Sequence, residues 1–65
     1  MKNLDYVLNR LEEALDTYEA SDNEIEQIEA VVELNLLREL LEPREIPERL
    51  GLRMYCLAVR MAAGL

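Results

Sequence analysis

Residues 21–41, SDNEIEQIEAVVELNLLRELL, decide how this 65-residue chain folds. Successive side chains of a helix step by roughly 100°. Ile25, Ile28, Val32, Leu36 and Leu40 therefore share one side, and Ala30, Leu34, Leu37 and Leu41 fall nearly opposite. A helix that is apolar on two sides needs cover on both. Glu29 and Glu39 interrupt the first row, so no uniformly dry seam runs its whole length. The second row has no such intrusion near its C-terminal end, where Leu34, Leu37 and Leu41 are expected to make an intermolecular contact.

Upstream, Leu4, Leu8, Leu11, Leu15 and Tyr18 recur at spacings of four and three, the rhythm of a helix packed along a helical partner. Val7 and Ala14 widen that stripe, while Asp5, Asn9, Glu12, Glu13 and Asp16 make the opposite side acidic. Ser21-x-x-Glu24 reads as a capping box, with Asp22 as an alternative cap. A break this short joins two antiparallel helices as a hairpin.

Downstream, Pro43 ends the central helix, because proline has no amide hydrogen and disfavours helical geometry in the residue before it. Pro47 suits the first turn of a third helix. In that helix Ile46, Leu50, Met54, Leu57 and Met61 form one apolar row, and Leu52, Tyr55, Val59 and Ala62 form a second. Only Arg49, Arg53 and Arg60, with Cys56 between them, make a polar strip. The expected architecture is all-α: helices over 3–19, 22–41 and 47–63 in one domain, an N-terminal antiparallel hairpin with a C-terminal helix packed on it.

A chain of this length buries only about 60% of its unfolded surface, and such domains usually need reinforcement. One cysteine and no histidine leave neither an intrachain disulfide nor an ordinary zinc site. Oligomerisation remains, and a homodimer is expected, with Leu34, Leu37, Leu41, Leu52, Tyr55 and Val59 as its interface or as the surface for another protein. Large exposed apolar patches mark such sites.

The formal net charge of −7 disfavours generic attraction to nucleic acid or anionic lipid. The charge is uneven: residues 1–42 hold 12 acidic and three basic residues, whereas residues 43–65 hold two acidic residues and four arginines. No secretory signal opens the sequence, and the run from Met54 to Leu65 is interrupted by Arg60 and shorter than the ~20 residues of a membrane span. A cytoplasmic setting is the expectation.

Chemistry-bearing patterns are sparse. Glu12 with Asp16 and Glu29 with Glu33 are adjacent on their helices, but di-iron bundles add histidines and the calcium-loop pattern is missing. A solvated acidic face accounts for them. There is no histidine base and no glycine-rich phosphate loop. Cys56, between Tyr55 and Leu57, reads as a small buried thiol. No enzyme activity, cofactor or metal is expected. Tyr6 points away from the first helix's apolar stripe, as a surface residue or an interface anchor.

One segment carries a resemblance. Glu45-Ile46-Pro47-Glu48-Arg49-Leu50-Gly51-Leu52, followed by Leu57 and Met61, resembles a helix-turn-helix over residues 45–61, about a third of the chain. The resemblance implies a turn at Gly51, packing positions at Ile46, Leu50, Leu52 and Leu57, a reading helix from Arg53, and nucleic-acid contacts from Arg49, Arg53 and Arg60. Pro47 departs from the alanine usual at its place, and Met54, Tyr55, Ala58 and Ala62 are poor equipment for base edges. The acidic first two helices also resemble small inhibitory proteins of mobile elements, which occupy a partner's basic groove; ordinary solubility charge is the competing explanation. The expected function is a small acidic protein-binding module, a regulator, adaptor or inhibitor, with a DNA-binding regulator and a structural assembly subunit as rivals.

Overall fold

The computed structural model describes residues 3–64. It consists of three α-helices, α1 (Leu4–Ala20), α2 (Glu24–Glu39) and α3 (Glu48–Ala63), with a 3₁₀ turn at Pro43–Glu45 and no strand among the described residues. Each boundary has a local cause. Asn3 caps α1, its side-chain oxygen accepting from the Tyr6 amide at 3.0 Å. Between α1 and α2 the cap is Asn23 rather than Ser21 or Asp22: Asn23 Oδ1 accepts from the amides of Ile25 (2.8 Å) and Glu26 (3.2 Å). Ser21 instead fastens the connection, accepting from the Asn23 amide at 3.0 Å and donating to Glu26 at 2.8 Å. Asparagine caps as well as serine does, and three polar residues in a row leave sequence spacing unable to choose among them.

Gln27 closes the same corner from the other side. Its amide nitrogen donates to the Ser21 carbonyl at 2.9 Å and to that of Tyr18 at 3.4 Å, satisfying acceptors that a helix end leaves open. At the far end, α2 stops two residues short of Leu41. Glu42 and Glu45 then bracket the 3₁₀ turn, with the Glu42 amide donating to Glu45 Oε1 at 2.8 Å. The Pro47 carbonyl accepts from Leu50 and Gly51 to start α3. Gly51 is thus helical, and no glycine among the described residues has a positive φ. The turn implied by the helix-turn-helix resemblance is a stretch of continuous helix.

The core is built chiefly from α1. Val7, Leu11, Ala14 and Leu15 are buried there, against Leu34 of α2, Leu41, and Leu50 and Leu57 of α3. Leu4, Leu8, Tyr18, Leu37, Ile46 and Met54 pack around this cluster, half-buried. The hairpin is antiparallel, since Arg10 early in α1 pairs with Glu33 late in α2 while Gln27 reaches the end of α1. Helix α3 runs alongside α1 in the same sense, as Arg49 meets Glu12 and Arg53 meets Asp16 and Glu19.

The sandwiched helix is therefore α1, not α2. The side of α2 bearing Leu34, expected to face another molecule, is turned inward: Leu34 is 5% exposed and Leu41 is buried, so both serve the chain's own core. Ile25, Ile28, Val32, Leu36 and Leu40 are turned to solvent. The carboxylates of Glu29 and Glu39 on that side are the physical reason, because an ionised group leaves water only at high cost.

Candidate interaction surface

Three seams join three helices, and they differ in kind. The α1/α3 seam is stitched by charge: Arg49 Nη1 lies 2.9 Å from Glu12 Oε2, and Arg53 Nη2 lies 2.8 Å from Asp16 Oδ1 and 2.7 Å from Glu19 Oε1. Across the α1/α2 seam, Arg10 Nη2 donates to Glu33 Oε1 at 2.6 Å. The Arg53 guanidinium is held above the ordinary arginine range, first by its hydrogen bond to Asp16, with burial opposing and Glu19 adding. Arg10 is raised first by its hydrogen bond to Glu33. A raised folded-state value means that the contribution from the arginine's own titration is fully present below its unfolded value and is lost as pH rises through the folded one.

These pairs bear directly on the three arginines named as nucleic-acid contacts. Arg49 and Arg53 point at carboxylates of α1, so a phosphate would have to compete with the chain's own anions. Arg60 borders two clefts, one against α1 and one against α2.

The α2/α3 seam is open. Among the described residues no ion pair crosses it. In its middle, Val31, Leu34 and Asn35 face Met54, Leu57 and Met61 across a groove of about 260 Å³. Toward the start of α2 the groove widens to about 500 Å³, where Ile28, Val31 and Val32 look across at Arg60 and Met61. Val31 and Met61 line both parts, so the depression is continuous.

Both helices also carry exposed apolar ridges, of which that of α2 reaches the groove through Ile28 and Val32. On α2 the ridge is Ile25, Ile28, Val32, Leu36 and Leu40; on α3 it is Leu52, Tyr55 and Val59. Val32 is 53% exposed and Tyr55 68%. The structure thus separates the six expected interface residues: Leu52, Tyr55 and Val59 are on the surface, Leu37 is half-buried beside the core, and Leu34 and Leu41 are within it. The sequence shows the α2 ridge as an apolar row but does not mark it as the outward one. The signal that could have oriented it was the pairing of acids on α1 with arginines on α3, which fixes α3 against α1 and leaves one flank of α2 uncovered.

The remaining chemistry is thin. Cys56, expected to be buried, is exposed, because it lies on the arginine side of α3 rather than on the Leu50–Leu57 line. Among the described residues no group of three or more acidic or cysteine side chains is arranged to hold a metal ion, and no helix is long and apolar enough to cross a membrane. Tyr6 is exposed on α1, one turn before Arg10. Comparison with protein-family models, with curated proteins and with solved structures gives no match.

Proposed function

We propose that this chain is a non-enzymatic protein-binding module, a regulator, adaptor or inhibitor of a larger protein, that acts through apolar helix faces as a homodimer. The observation carrying the reading is the pair of exposed apolar ridges, one on α2 and one on α3. Contiguous apolar surface of this kind is the usual mark of a protein contact. Tyr55 is the natural anchor of the α3 ridge, since tyrosine brings a large amphipathic surface with little conformational freedom to lose.

The DNA-binding alternative draws on Arg49 and Arg53, whose guanidinium groups are engaged by Glu12, Asp16 and Glu19. Affinity capture from lysate with the wild-type protein and with Tyr55→Glu tests the preferred reading. A protein retained by the first and lost by the second, with helicity unchanged, supports it. Tight DNA binding in a low-salt gel shift, weakening steeply with salt and lost on Arg53→Ala, contradicts it.

A further inference from the structure

We infer that the groove between α2 and α3 receives an acidic amphipathic helix of another protein, lying as a fourth helix with one carboxylate at Arg38 and another at Arg60. The inference rests on the protein-binding reading above and names the chemistry of the partner's contact.

Charge carries it. Four arginines pair with the chain's own carboxylates: Arg10 with Glu33, Arg44 with Glu42, Arg49 with Glu12, and Arg53 with Asp16 and Glu19. Among the described residues Arg38 and Arg60 have no such partner, although the chain holds 14 acidic residues against 7 basic ones. Both line the groove, Arg38 in its narrower part and Arg60 at its wide end. Glu24, at the wide end, is the one carboxylate that lines it with them. The lining is therefore net cationic in a chain whose net charge is −7. Arginine suits an interface, being weakly hydrated, able to take a carboxylate through two parallel hydrogen bonds, and enriched at binding hot spots.

Shape agrees. The apolar lining of the narrower part is Val31, Leu34, Met54, Leu57 and Met61, and Ile28 and Val32 are exposed at the wide end. Methionine is unbranched and polarisable and adapts to an incoming surface, and an amphipathic helix laid in an apolar groove is a recurrent mode of recognition. Arg60 shares the wide end with Ile28, ten residues before Arg38 on α2, which is about 15 Å along the helix. Matching carboxylates on the occupant are then about three turns apart.

Methyl NMR of the full-length protein tests the assignment with two helical peptides that share one leucine row and carry, about three turns apart, either two glutamates or two lysines. The glutamate peptide should shift the Met54 and Met61 methyl groups and bind at least ten-fold tighter than the lysine peptide. Arg38→Glu combined with Arg60→Glu, both exposed positions, should reverse that preference. Equal or tighter binding of the lysine peptide to the wild type would overturn the acidic partner. Shifts confined to Leu52 and Val59 would overturn the groove and leave the protein-binding reading standing on the α3 ridge. Met54 and Met61 shifts on dilution of the wild type alone would make a second copy the occupant, and shifts with laurate but neither peptide would make it a small amphiphile; either result overturns the inference. So does the absence of any shift, while the lysate capture judges the wider reading separately.

Discussion

Helices α1 and α2 are nearly equal in length, 17 and 16 residues, and each carries apolar side chains that need cover, yet they have opposite surroundings. Helix α1 turns its apolar stripe wholly inward and presents acids outward; α2 buries Ala30 and Leu34 and presents a row of isoleucine, valine and leucine. The difference lies in which acids have counter-charges. Arg10 of α1 and Arg49 and Arg53 of α3 all cross to neighbouring carboxylates, so α1 is tied on both flanks while α2 is tied on one. Apolar pattern alone says that both helices need partners; charge placement says which partner lies within the chain.

The comparison breaks most severely in the core. Leu34→Glu should abolish the cooperative thermal transition, because it puts a carboxylate where a 5%-exposed leucine stood. The milder Leu50→Ala should cost about 3 kcal/mol, read from a denaturant midpoint, since a fully buried leucine leaves a cavity that its neighbours only partly close. Against a stability of roughly 3–10 kcal/mol for a chain this long, that is a large fraction.

Next in size is the outward row. Val32→Glu should leave the circular-dichroism spectrum helical and shift the denaturant midpoint far less than Leu50→Ala does, as Val32 is half-exposed in the protomer. The contrast between Leu34→Glu and Val32→Glu, two positions apart on one helix, isolates inside from outside.

Smaller still is the charged seam. Arg53→Ala should cost about 1 kcal/mol of stability, shrinking as salt is added, because exposed pairs are screened while the arginine stem also loses packing. The smallest effect runs the other way. A Cβ at Gly51 would meet Ile46 Cγ2 at 3.9 Å, an ordinary contact, so Gly51→Ala should stabilise by about 0.5–1 kcal/mol in the same denaturant assay. Destabilisation there would mean that the glycine is not in a regular helix.

Much of the fold was legible in the sequence. The spacing of Leu11 and Leu15, flanked by Val7 and Ala14, identifies a packed stripe without any structure, and Pro43 and Pro47 bracket the break before α3. Periodicity, however, defines faces and not directions. Two apolar rows on α2 are equivalent until something fixes which one meets α1, and that is settled by contacts between residues some 20 to 40 apart in sequence, such as Arg10 with Glu33 and Arg53 with Asp16. Local hydrogen-bond choices were equally hidden, since Ser21, Asp22 and Asn23 are all good caps and only backbone geometry selects Asn23. The exposure of Leu52, Tyr55 and Val59 was readable because a third helix with two apolar rows has only one core to serve.

The most direct test of the account is the molar mass of the wild-type protein by light scattering at micromolar concentration. The account predicts twice the 7.5 kDa chain mass. A wild-type monomer would contradict it.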